Sequence, residues 1–170
     1  MTTPRIYIAD LAAYNNGILH GIWIDALDDI DTIWEHIHAM LKSSPEDFAE
    51  EYAIHDYEGF GSYSVSEYES IQSLHEIASF LEEYPDFGSE LLDHCSDLEE
   101  ARRLAEENYQ GCFKSLADYA EDFTEQTGTE IPENLQYYID YEKMARDWEY
   151  SGDIFTIETG FEEVHVFWSH

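Results

Sequence analysis

Basic residues are nearly missing from this chain of 170: seven Lys and Arg stand against 39 Asp and Glu, for a formal net charge of −32. Nucleic acid and anionic membranes are both held through Lys and Arg patches, so direct binding to either is opposed. Apolar runs of about 18 residues are missing too, which excludes a membrane-spanning helix. Cys95 and Cys112 lack the C-x-x-C spacing, and they predict reduced thiols. The opening "MTTPRIYIAD" lacks the basic-then-apolar profile of a secretory signal, so the expected location is cytoplasmic.

Catalytic signatures are also lacking. "GFGSYS" (59–64) fails G-x-G-x-x-G at its third glycine, and neither a Walker lysine pattern nor G-x-S-x-G occurs. "DALDDID" (25–31) invites a calcium reading, but Ile33 stands where a ligand belongs and no glycine follows. It reads instead as an acidic helix N-terminus, favoured by the helix dipole. His36 and His38 are two apart and share no helix face. His94 beside Cys95 is adjacency without geometry, and a partly buried thiol is the plainer reading. With 39 carboxylates a glycosidase-like pair can always be picked, so picking one carries no information. The chain is therefore read as non-enzymatic, with no catalytic residue, metal or cofactor assigned.

What is present is material for a core. Hydrophobic residues make up 44% and aromatics 15%, unlike a disordered acidic tail. Trp23, Trp34 and Trp148 are expected in that core. "RIYIAD" (5–10) and "GILHGIWID" (17–25) alternate as strands, joined through the turn-rich "YNNG". Ile30, Ile33, Trp34, Ile37 and Leu41 have the spacing of an amphipathic helix, and a third strand follows around Tyr52 to Tyr57. Ser73 with Glu76 and Ser96 with Glu99 have capping-box spacing, with Pro85 stopping the first of these helices. "YQGCFKS" reads as a short strand, and Ser115 with Asp118 opens a helix that Gly128 closes. One or two helices and a closing hairpin around "TG" complete the chain. The expected fold is α+β, an elongated chain of three small modules. These are an N-terminal ββαβ module (1–61), a central helical module (62–106) and a C-terminal module of helices with a small antiparallel sheet (107–170).

The charges are arranged, not merely abundant. Between Ser43 and Ala101 there are seventeen acids and no Lys or Arg. In the helix after Ser115, Asp118, Glu121, Asp122 and Glu125 fall at i, i+3, i+4 and i+7, four charges over about 10 Å of axis. One strand of B-DNA carries about three charges over that length. Like charges four apart destabilise a helix by roughly 0.2–0.5 kcal/mol per pair. Asp118/Asp122 and Glu121/Glu125 are such pairs, and Glu46/Glu50 and Asp47/Glu51 join them if that stretch is helical. A solvated face without a task mixes its signs. Five of the seven bases lie four residues from an acid: Arg102 from Glu106, Arg103 from Glu99, Lys114 from Asp118, Lys143 from Asp147 and Arg146 from Glu142. Local pairing of these bases would leave the negative field nearly uninterrupted. The candidate surface therefore comprises Glu46, Asp47, Glu50, Glu51, Glu76, Glu82, Glu83, Asp86 and Glu90, together with Asp118, Glu121, Asp122 and Glu125. Its chemistry is that of a folded polyanion facing a strongly basic protein surface.

Several colinear blocks carry a resemblance. "IYIADLAAYNNGILHGIWID" (6–25), "EEYAIHDYEGF" (50–60), "SIQSLHEIASFLEE" (70–83) and "GTEIPENLQYYIDYEKMARDWEYSG" (128–152) resemble the antirestriction protein family ArdA. The most specific pieces are "YNNGILHG", "YAIHDYE" and "YIDYEKMARD". The resemblance implies an elongated, dimeric mimic of bent B-DNA, spread by mobile genetic elements. It implies competitive occupation of the DNA groove of type I restriction–modification enzymes, formed by a methyltransferase core with its specificity subunit. It also implies homodimerisation through 107–170. Arg102 and Arg103 interrupt the acidic surface locally. Two other readings remain open from the residues: a mimic aimed at another DNA-binding protein, and a salt-adapted acidic protein of unrelated role.

Overall fold

In a computed structural model of the chain, residues 2–128 and 130–170 are described. Met1 and Thr129, the latter inside the block 128–152, lie outside the described residues. The fold is α+β, with two small antiparallel sheets of three strands each. It divides into two compact units, Met1–Asp93 and His94–His170.

The first unit is built on a sheet of order β2-β1-β3, from β1 (Arg5–Asp10), β2 (Gly21–Asp25) and β3 (Tyr52–Glu58). Alternation along β1 turns Ile6 and Ile8 inward, beside Ile24 of β2 and Ile54 of β3. Helix α2 (Ile30–Lys42) covers that face with Ile33, Ile37, Met40 and Leu41, as its spacing predicts. Between β1 and β2 the structure departs from the expected hairpin. "LAAYN" forms a short helix, α1 (Leu11–Asn15), whose N-cap Asp10 accepts the Ala13 amide at 3.2 Å. β2 consequently begins at Gly21, not at 17. An aspartate that can cap outcompetes the turn propensity of "YNNG". Gly17, at φ +78, then reverses the chain.

Helices α3 (Ile71–Glu83) and α4 (Gly88–His94) follow, α3 packing on α2. The Nδ1 of His75 lies 2.9 Å from the Ala26 carbonyl oxygen, tying α3 to the loop after β2. The N-cap of α3 is Ser70, whose hydroxyl accepts the Ser73 amide, so the helix starts one turn before the expected cap at Ser73. Ser70 wins because Ile71 and Leu74 are both buried and extend the apolar stripe backwards. The helix ends at Glu83, ahead of Pro85, as expected.

The second unit centres on the sheet β4-β6-β5, from β4 (Tyr109–Phe113), β5 (Ile154–Gly160) and β6 (Glu163–Trp168). Helices α6 (Leu116–Gln126) and α7 (Tyr141–Ser151) lie on one face. There Leu116, Tyr119, Ala145, Ile154, Val164 and Val166 form a core edged by Phe113, Phe123, Trp148 and Trp168. The Trp168 indole donates to the Tyr119 hydroxyl at 2.9 Å. Burial raises the Tyr119 phenol pKa, and that hydrogen bond partly opposes the rise. Helix α5 (Leu98–Arg103) runs into a π-helical turn, Leu104–Asn108, that reaches β6. Its N-cap is Asp97, one residue beyond the expected Ser96. Asp97 accepts the Glu100 amide at 2.8 Å, while Glu100 accepts from the amide and hydroxyl of Ser96. Ser115 caps α6 as read, and Gly128 and Gly152 follow α6 and α7 in the left-handed conformation.

The expected modules map unevenly onto the two units. Residues 1–61 lie in the first unit and 107–170 in the second, whereas the central helices divide, α3 with the first and α5 with the second. α3 packs on α2 in the first unit, whereas α5 continues into the π-helical turn that contacts β4 and β6 in the second.

Candidate functional site

Eleven of the thirteen candidate acids are exposed, and Glu46 and Asp122 are half-buried. On α6 the capped start and apolar stripe set the rotation of the helix. Leu116, Tyr119, Ala120 and Thr124 turn inward, leaving Asp118, Glu121 and Glu125 outward with Asp122 at the margin. The four-charge stripe read from spacing therefore exists on a real helix, and both like-charge i, i+4 pairs are formed there.

Glu46, Asp47, Glu50 and Glu51 are placed differently. They lie on a loop between α2 and β3, so no helical repulsion pairs form among them. Pro45 and the left-handed Phe48, at φ +60, are incompatible with continuing α2. Glu76, Glu82 and Glu83 lie on exposed positions of α3, where Glu76 accepts from the Gln72 side-chain Nε2 at 2.9 Å. Asp86 is in the turn after α3, and Glu90 is in the first turn of α4, where the dipole favours a carboxylate.

The bases follow only part of the expected pattern. Of the five helical pairs, Arg102–Glu106 closes at 3.8 Å. The other four are not formed within ion-pair distance among the described residues, because exposed long side chains gain little by ordering in water. Arg5, unassigned from spacing, is paired instead: it donates from Nε to Glu58 at 2.7 Å across β1 and β3. Its guanidinium also stands 5.1 Å above the Trp23 ring. Trp23 is 38% exposed on the open face of the sheet beside Tyr7, which corrects its expected place in the core. Trp34 and Trp148 are half-buried, Trp148 against Tyr119, Phe123 and Trp168. Period-2 alternation could have flagged Trp23, which faces opposite to Ile22 and Ile24.

Burial pushes the Cys95 thiol up to about 11, helped by Glu100 and Asp97 and opposed by Arg103. That leaves a thiol, not a thiolate, at neutral pH. The His94 ring stacks on Phe155 at 3.9 Å. Among the described residues no three His, Cys, Asp or Glu side chains gather as a metal site, and no helix is long and apolar enough to cross a membrane.

Exposure of aromatics in turns and loops, where no periodicity applies, is what spacing did not reveal. The turn Glu133–Tyr138 is a 3-10 helix with no buried residue, and it presents Tyr137 and Tyr138 at 94% and 83% exposure. Phe48 and Phe161 are each more than nine-tenths exposed. The sequence matches a family model described as "Antirestriction protein (ArdA)" over residues 6–163. No curated protein matches the chain.

Proposed function

Because this chain belongs to the ArdA family of antirestriction proteins, its function is antirestriction, and we propose that it acts without catalysis, as a mimic of B-DNA. On this reading its carboxylates stand in for phosphates and occupy the DNA groove of a type I restriction–modification enzyme. The contact is with the Lys and Arg side chains of the methyltransferase core and specificity subunit. One observation carries the reading: acids without an intervening base run from Ser43 to Ala101, and nearly all the candidate acids there point into water. A charge of −32 works against a compact state through self-repulsion, and a cationic groove would turn that liability into binding free energy.

The proposed active species is a homodimer joined through residues 107–170. Two copies of a polyanion meet at least cost where charge is sparse and apolar surface is bare. Ile131–Ile139 has one charged residue, Glu133, and exposes Leu135, Tyr137 and Tyr138. Sedimentation equilibrium tests this: Tyr137→Glu with Tyr138→Glu should shift dimer to monomer, and an unchanged mass would remove the assignment.

The decisive measurement is competition. A purified type I methyltransferase holding a labelled duplex is titrated with this protein at about 50 and 200 mM salt. Displacement of the duplex at low salt, weakening steeply at high salt, is expected. Failure to displace it at low ionic strength would refute type I inhibition and leave another DNA-binding partner, or a salt-adapted role, to be tested.

A further inference from the structure

Among the described residues, two non-glycine positions hold a left-handed backbone: Phe48 at φ +60 and Glu162 at φ +56. Both mark the same local design. Phe48 lies in the loop "EDFAEE" (46–51), where it is 94% exposed and is flanked in sequence by Glu46, Asp47, Glu50 and Glu51. Phe161 sits at the tip joining β5 to β6, 91% exposed, with Glu158 before it in sequence and Glu162 and Glu163 directly after it. One such tip occurs in each unit.

A single exposed apolar side chain is ordinary. Here, however, a large aromatic residue is almost wholly exposed at a turn with a left-handed backbone, and acidic residues flank it in sequence on both sides. The surrounding acids decide what can cover it. An anionic lipid surface is repelled, and so is this loop's counterpart on a second copy. An arginine satisfies both parts at once, because its planar guanidinium stacks on an aromatic face while its N–H groups bond a neighbouring carboxylate. DNA-binding surfaces carry complementary features, since bases outside a duplex stack on aromatic side chains and receive cation–π contacts from Arg.

We propose that Phe48 and Phe161 are base surrogates: each ring occupies a position on an arginine-bearing DNA-binding surface that an unstacked base would take, with the flanking carboxylates in place of its phosphates. This rests on the mimicry reading above and specifies which side chains add uncharged contact to it. Because the rings are neutral, they contribute affinity without contributing salt dependence.

The test uses the full-length protein in the same duplex-competition assay, with Phe48→Ala, Phe161→Ala, Phe48→Leu and Phe48→Trp beside wild type. Each Ala variant should weaken displacement by about 5- to 30-fold, with the salt slope unchanged. Phe48→Trp should restore it and Phe48→Leu should not, since leucine keeps apolar contact but has no π face. Thermal melting monitors the fold, and light scattering the mass. Ala variants that displace duplex as wild type does, a Leu variant as good as Phe, or a loss that tracks dissociation of a dimer would each overturn the proposal. Wild-type protein that fails to displace duplex would instead sink the mimicry reading itself, a result separable from the others.

Discussion

Removing charge from α6 should strengthen the fold and weaken the function together. The perturbation is the triple variant Glu121→Gln, Asp122→Asn, Glu125→Gln. Asp118 is retained because it lies in the first turn, where the helix dipole favours an acid by about 0.3–1 kcal/mol. The three changes preserve side-chain shape and abolish both i, i+4 repulsions, Asp118/Asp122 and Glu121/Glu125. At roughly 0.2–0.5 kcal/mol per pair the gain is about 0.4–1 kcal/mol. For a chain of this size each kcal/mol moves Tm by about 2–4 °C, so melting should rise by about 1–4 °C. Inhibition should move the other way. If each lost carboxylate counted as one phosphate, the slope of log affinity against log salt would flatten by about 2 to 3. Glu121→Gln alone should change little, because the field is summed over many charges. Calorimetry gives the first quantity and duplex competition at several salt concentrations the second. Melting that falls would refute the repulsion argument. Melting that rises with affinity and salt slope unchanged would remove α6 from the contact.

Two further predictions concern stability. Gly59 is at φ +80, and a Cβ there would stand 2.5 Å from the Thr3 carbonyl oxygen, whereas Gly152, also at φ +80, has open space around it. Gly152→Ala should cost about 1 kcal/mol, from the left-handed backbone alone, and Gly59→Ala distinctly more, as read by urea unfolding; equal losses would show that the N-terminal segment simply moves aside. The Glu100 carboxyl is held below its usual range by hydrogen bonds from the amide and then the hydroxyl of Ser96. A lowered folded-state pKa stabilises above the unfolded value and is lost as pH falls through the folded one. Glu100→Gln should therefore lower Tm at pH 7, with the gap to wild type closing below about pH 4; a gap independent of pH would assign the loss to packing.

Much of the fold was legible because its signals are local. The apolar spacing in α2, the cap at Ser115, the stop before Pro85 and the alternation of β1 are each decided within a few residues. The structure departs from the local reading where two local signals compete, as where Asp10 caps α1 in place of a turn, or Ser70 and Asp97 take the caps expected at Ser73 and Ser96. The α6 stripe was readable for the same reason, since a helix converts spacing directly into a face.

The chain's overall charge, its lack of basic stretches and the identity of most elements were settled by the order of residues alone, since composition and short-range periodicity require no knowledge of distant contacts. Tertiary structure decided what depends on partners far along the chain. It joined Arg5 to Glu58 across strands, divided the central helices between two compact units, and left Trp23, Phe48, Phe161 and the tyrosines of Glu133–Tyr138 facing water. An aromatic residue carries the same letter whether it fills a core or waits for a partner, and only packing separates the two.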